Sequence, residues 1–156
     1  MSAVALSAAF LSATPLDTAE LRRSLERFSA GAVVVFEGVV RDHHEGKSVL
    51  RLEYSAFEAA VEVAWSKLRE NALANFDVTA IAGQHRVGTL DIGESAVWIG
   101  VAAAHRGAAF AACQWLIDEA KRELPIWKRE HYADGNIQWR HEVALDHAFD
   151  AYGNTI

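Results

Sequence analysis

The chain has one cysteine, Cys113, so it cannot close an internal disulfide, and nothing in it asks for an oxidising compartment. Positive charge is also short: 15 Lys and Arg stand against 21 Asp and Glu, a net charge of -6. A surface built for nucleic acid usually carries a net basic face, so no nucleic-acid partner is expected and any basic site must be local. No apolar run approaches the roughly 20 residues needed to span a bilayer, and no membrane association is expected. The opening "MSAVALSAAFLSATPLD" is apolar but has no Lys or Arg ahead of the apolar run, unlike a secretory signal. Cytoplasm is the default location. There is no phosphate-loop glycine pattern, no G-x-S-x-G and no dinucleotide fingerprint. Proline occurs only at Pro15 and Pro125, and no repeat, low-complexity tract or Gly/Pro/Ser-rich linker divides the chain.

What remains is 156 residues with 51% hydrophobic content, ample for one packed domain. Asp17 is a suitable N-cap for "TAELRRSLERF", where Leu21, Leu25 and Phe28 recur at helical spacing. "GAVVVFEGVVR", Gly31 to Arg41, is rich in β-branched residues and reads as a buried strand ending at Arg41. "DHHEGKS" reads as an exposed loop, and "VLRLEYS" alternates as a strand. From Phe57 to Phe76 a helix is predicted, with Phe57, Val61, Ala64, Leu68 and Ala72 on one face. "VTAIAGQHRVG" and "SAVWIGVAAA" are predicted strands around a turn or short excursion at "TLDIGE". In "HRGAAFAACQWLIDEAKREL" the residues Phe110, Cys113, Ile117, Ala120 and Leu124 repeat at three and four, and Pro125 stops that helix. "IWKREHY" and "NIQWRHE" flank a hairpin turn at Asp134 and Gly135. Helices alternating with adjacent strand pairs point to an α+β fold with a mixed, largely antiparallel sheet and a C-terminal hairpin.

Chemistry has few places to sit. His105 and Arg106 fall between a strand and the first turn of a helix, where free amide protons and the helix dipole favour an anion; capping and solvation explain them equally well. Arg41 ends a strand beside a loop, and taken alone simply marks where that strand leaves the core. Lys121 lies at the border of an apolar stripe, where a lysine usually lays its stem on the core and lifts its charge into water. Lys128 reads as an outward-facing strand position, and Glu130 as a surface partner for either lysine. His43, His44 and Glu45 offer no recognisable ligand spacing, so no metal is expected and a solvated loop is the better reading. Cys113 lies on the apolar stripe and has poor credentials as a nucleophile.

Five stretches stand in one order and spacing: "GAVVVFEGVVRDHHEG", "LEYSAF", "HRVGTLDIGE", "AAAHRGAAFAACQWLIDEAKRELPIWKRE" and "DGNIQW". Together, over roughly Gly31 to Trp139, they resemble the large, catalytic subunit of molybdopterin synthase. The resemblance implies an α/β hammerhead-type fold in one domain over 1–156, with a core at 31–139 and peripheral segments 1–16 and 140–156. It implies a homodimer, with a small ubiquitin-like sulfur-carrier subunit on each copy. The carrier's C-terminal Gly-Gly ends in a thiocarboxylate, which places two sulfurs on cyclic pyranopterin monophosphate to give molybdopterin. No permanently bound cofactor is implied. Substrate contacts carried over by position are Val39, Val40 and Arg41, the pair His105 and Arg106, then Lys121, Lys128, Arg129 and Glu130, with Lys121 and Lys128 catalytic. The chemistry of these residue types agrees. Arginine forks suit phosphate, and crowding by cations readily lowers a lysine pKa. Two other readings are a non-catalytic domain that binds a ubiquitin-like Gly-Gly tail, and a partnerless phosphate-binding enzyme using His105.

Overall fold

A computed structural model describes residues 9–141 of the chain. The order is β1 (Leu11–Ser12), α1 (Thr18–Arg23), β2 (Ala32–Val39), β3 (His43–His44), β4 (Lys47–Ala56) and α2 (Glu58–Asn75). There follow β5 (Ala80–Arg86), β6 (Gly88–Asp91), β7 (Ser95–Ala103), α3 (Arg106–Glu123), β8 (Ile126–Tyr132) and β9 (Ile137–His141). One sheet runs β1-β5-β7-β2, and the other runs β3-β4-β8-β9 with β6 also on β4. Among the described strand pairs only β1 with β5 is parallel. The α+β class, the mixed and largely antiparallel pairing and the C-terminal hairpin are therefore as expected.

Helix α3 packs on β7 and β2, and α2 packs on α3, β1 and β5. Val61, Leu68 and Ala72 of α2 are buried as the apolar period requires, together with Trp65. Along α3 the buried set is Ala109, Ala112, Cys113, Leu116, Ile117 and Ala120, while Phe110 is 61% exposed. Cys113, Ile117, Ala120 and Leu124 are buried as the period requires, and of that stripe Phe110 alone lies outside. The small Ala109 and Ala112 face the sheet, so the helix can sit close to it, and the bulky ring is left outside.

Four further expectations change. Helix α1 ends at Arg23, although Asp17 does accept from the Glu20 amide at 3.0 Å; Leu25 carries the burial and Phe28 is wholly exposed. Strand β2 is half-buried and alternating rather than buried throughout, because it forms the edge of its sheet. "TLDIGE" contains β6, which pairs with β4 and buries Leu90. Segment 1–16 is not wholly peripheral: Phe10 is 1% exposed, stacks on Trp65 at 4.5 Å and leads into β1. Glu62 of α2 holds this strand by accepting from the Phe10 amide at 2.8 Å and the Leu11 amide at 2.9 Å.

Of segment 140–156, read from sequence as peripheral, Arg140 and His141 belong to β9 and Arg140 pairs with the buried Glu130, while 142–156 lies outside the described residues. Among the described residues no helix is long and apolar enough to cross a membrane.

Candidate active site

The end of β2 is where the site begins. The pairing of β2 with β7 slips between Gly38 and Val39, a β-bulge that re-aims the chain just before Arg41. Gly38 is required there, since a Cβ would lie 2.8 Å from Val97 Cγ1. Beyond the bulge, Val40 is tied down at both ends: its amide donates to Glu94 at 3.0 Å and its carbonyl accepts from Gly93 at 2.9 Å. This segment forms one wall of a cavity of about 300 Å³.

Strand β8 supplies the facing wall. Pro125 ends α3 at Leu124, and the chain enters β8 with Ile126 pointing into the core. Side chains alternate along a strand, so Ile126, Lys128, Glu130 and Tyr132 share a face while Trp127, Arg129 and His131 share the other. The register sets Lys128 opposite Tyr54 and Glu130 opposite Leu52, and all four line the cavity. Lys121 reaches the same cavity from the last turn of α3. Val39, Val40, Arg41, Lys121, Lys128 and Glu130 are therefore gathered in one place.

The remaining site residues are placed elsewhere within the chain. Arg129 lies on the outer face of β8, where it donates to Glu53 at 2.9 and 2.6 Å and stacks over Trp139 at 4.8 Å. His131 and Arg129 together hold the Glu53 carboxyl below its ordinary range. His105 and Arg106 start α3, whose other end carries Lys121. At 1.5 Å of rise per residue those ends are about 22 Å apart, and neither His105 nor Arg106 lines the cavity.

Glu130 differs most from its sequence reading as a surface group, being only 2% exposed. Its Oε1 accepts from the Tyr132 hydroxyl at 2.6 Å and from Arg140 Nε, and its Oε2 lies 3.8 Å from His44 Nδ1. Burial alone would raise the Glu130 carboxyl. The Tyr132 and Arg140 hydrogen bonds, with the nearby charges of Lys128 and His44, outweigh it and leave the pKa below the ordinary value. Arg140 also donates to Glu45 at 2.8 Å and to Gln138 at 3.0 Å. A buried anion and its arginine thus form the floor under the cations. Cys113 is buried with its thiol pushed up by that burial and its Sγ near the Ile99 carbonyl at 3.7 Å, a packing role.

Tyr54, which lines the cavity, was not a sequence candidate, and His44, read from sequence as part of a solvated loop, lines it too. A signal for His44 existed: "HHEGK" has Glu45 and Gly46 between a His and a Lys, which suits a two-residue hairpin turn, and such a turn leaves one of two adjacent histidines the more buried. Elsewhere, a larger open groove of about 720 Å³ runs between α2 and α3, with an alanine-lined floor and mixed charges at its rim. It gathers no cationic set. Among the described residues, no group of three or more His, Cys, Asp or Glu side chains is arranged to hold a metal ion.

Known proteins give this arrangement a context. The family model described as "MoaE protein" matches residues 11–123. The molybdopterin synthase catalytic subunit of Oryza sativa subsp. indica is 37% identical over 131 residues, covering 84% of this chain and 68% of that protein. That of Bacillus subtilis (strain 168) is 38% identical over 126 residues, covering 81% and 80%. The crystal structure of molybdopterin synthase from Staphylococcus aureus superposes with a TM-score of 0.80 at 31% identity, covering 85% of this chain and 96% of that one. A structure from Helicobacter pylori 26695, described as the protein-protein complex of subunit 1 and 2 of molybdopterin-converting factor, shares the fold, with a TM-score of 0.67 at 24% identity over 80% and 84% of the two chains. The chain therefore belongs to the MoaE family, the family of the molybdopterin synthase catalytic subunits.

Proposed function

We propose that the chain is the sulfur-transferring subunit of a molybdopterin synthase, acting in molybdenum cofactor biosynthesis. It converts cyclic pyranopterin monophosphate to molybdopterin with sulfur carried on the C-terminal thiocarboxylate of a small ubiquitin-like partner. The observation that supports this reading is the meeting of Lys121, from α3, and Lys128, from β8, in one cavity with Arg41 on an otherwise acidic protein.

The thiocarboxylate sulfur attacks a side-chain carbon of the pterin and displaces its oxygen, which takes up a proton and leaves as water. A second water then cleaves the acyl–sulfur bond, so that the sulfur stays on the pterin and the carrier departs as its carboxylate. Lys121 and Lys128 stabilise the negative charge that develops and move protons at the reacting atoms. Arg41 holds the phosphate, which a planar guanidinium can grip through two parallel hydrogen bonds. Glu130 offsets the cationic charge at the floor, so that the lysines are held close without an excess of unpaired charge. The sulfur arrives with the carrier, so no permanently bound cofactor is needed and the inert setting of Cys113 is no obstacle. Dimerisation gives His105 and Arg106 their place: a second copy brings them to the cavity that they do not reach within their own chain.

The test supplies purified protein with thiocarboxylated carrier and cyclic pyranopterin monophosphate, and reads products by mass spectrometry. A mass gain corresponding to two transferred sulfurs is expected from the wild type, and none from Lys121→Ala with an unchanged circular dichroism spectrum. Undiminished turnover by Lys121→Ala would remove Lys121 from the mechanism. Carrier binding without any turnover by the wild type would mean that the chain only docks the Gly-Gly tail.

A further inference from the structure

The β3–β4 hairpin sets two histidines at the cavity, His43 exposed and His44 half-buried. His43 pairs with Ser48 and His44 with Lys47, which leaves Glu45 and Gly46 as a two-residue turn with φ of 51° and 78°. Both values are left-handed, as this tight turn requires, and Gly46 adopts its value at no steric cost. Glu45 does not, and the ion pair of its carboxylate with Arg140 at 2.8 Å offsets that strain. Arg140 is in turn bound to Glu130 beneath the cavity. The turn is therefore clamped to the β8–β9 hairpin; both histidines border the cavity, the exposed His43 meeting Asp42 at 2.8 Å and His44 lying the more buried of the two.

The charged groups that face His44 come from several elements, with Lys47 opposite it on β4, His43 and Asp42 beside it in the chain, and Lys121 of α3 on the same cavity. From the end of β2, Arg41 Nη2 stands 3.3 Å from His44 Nδ1. From β8, Glu130 Oε2 lies 3.8 Å from the same nitrogen, with Lys128 nearby. From the turn, Glu45 Oε1 lies 3.6 Å from Nε2, and β9 contributes Arg140. A guanidinium has only donors, so a contact between Arg41 Nη2 and Nδ1 requires the lone pair of a neutral imidazole protonated at Nε2. Burial disfavours the imidazolium, Arg140 and Lys128 add to that, and together they outweigh Glu130 and Glu45, so His44 holds its proton less tightly than usual.

We propose that His44 is a positioning residue that fixes the Arg41 guanidinium at the cavity mouth through its unprotonated Nδ1. The inference rests on the reading of this cavity as the site that takes the phosphate of the pterin substrate. Protonation at Nδ1 removes the acceptor and sets two cations side by side. The new N–H then turns to Glu130 Oε2, and Arg41 is released. Substrate capture thus weakens as pH falls through the titration of His44.

The experiment measures KM and kcat for cyclic pyranopterin monophosphate with thiocarboxylated carrier between about pH 5 and pH 8, where a histidine changes charge. For the wild type KM is expected to rise as pH falls, with kcat little changed. His44→Ala raises KM about tenfold at the upper end, the factor that one charge-assisted hydrogen bond carries, and flattens the profile. His44→Gln, whose amide oxygen still accepts from Arg41, recovers most of the KM but not the pH dependence. In an Arg41→Ala background, His44→Ala adds nothing. An equal KM increase in that background, or a pH dependence that survives His44→Gln, overturns the proposal. Imidazole nitrogen NMR of the full chain reads the contact without turnover: neutral His44 should carry its proton on Nε2, and Arg41→Ala should raise its titration midpoint. An unmoved midpoint also overturns the proposal. Absent turnover with a shifted midpoint instead overturns the sulfur-transfer reading and leaves the His44–Arg41 contact standing.

Discussion

Replacing Glu130 by Gln tests whether the cavity floor is held by a buried charge. The substitution keeps the shape and one acceptor oxygen but removes the anion that receives Tyr132 and Arg140. Each hydrogen bond to a charged group contributes about 1.5–3 kcal/mol, and breaking a buried ion pair costs about 3–5 kcal/mol because the other ion is left behind. Here Arg140 keeps Glu45 and Gln138, so the expected loss is at the lower end, about 2–4 kcal/mol. For a chain of this size that lowers Tm by about 5–15 °C. The sign with pH follows from the depressed carboxyl: a group with a folded pKa below its unfolded value stabilises fully above the unfolded pKa and loses that contribution as pH falls through the folded one. Urea denaturation of wild type and Glu130→Gln should therefore show a full gap at neutral pH that closes in acid below the ordinary carboxylate range. Carboxylates common to both proteins cancel in the difference. A gap under about 0.5 kcal/mol at neutral pH, or one that persists unchanged in strong acid, would refute the account of the floor.

The other predictions concern the N-terminal strand and the dimer. Glu62→Ala removes the acceptor for two backbone amides and should cost about 2–3 kcal/mol in urea denaturation, with faster hydrogen exchange at Phe10 and Leu11; unchanged exchange there would show that β5 alone holds β1. Arg106→Ala and Lys121→Ala, each inactive by itself, should recover about a quarter of the wild-type sites when co-expressed, as random assortment of a twofold dimer gives if Arg106 serves the partner's cavity. No recovery would place Arg106 in its own chain's site or in none.

The larger elements were legible because they carry strong periods. Val61, Leu68 and Ala72 repeat along α2 at helical spacing, and Pro125 marks the end of α3 through the missing amide proton. What local pattern missed depended on which neighbour arrives. Phe110 and Phe28 have helical spacing but stand outside the core, since periodicity locates a stripe only to within a residue either way. Leu90 looked like part of a turn because its burial comes from β4, far away in the chain. The site divides in the same manner. Residue-level physics left Lys121 and Lys128 as surface groups, and only the family resemblance raised them. The cavity that holds both is made where β2, β4, β7, α3 and β8 meet, elements far apart in the chain. The parity of β8 places Lys128: Ile126 and Tyr132 are buried, and residue 128 shares their face.

That parity makes β8 a strand with a reading frame. The cavity side reads Ile126, Lys128, Glu130, Tyr132 and the outer side Trp127, Arg129, His131. Deleting one residue between Pro125 and Lys128 would transpose the two scripts. Arg129 and His131 would enter the cavity, Lys128 would take the place of Trp127 opposite Ser55, and Glu130 would take that of Arg129, setting one carboxylate against another at Glu53. A charge count of the mutant strand would scarcely differ, yet every ionic partnership in the site would have been reassigned.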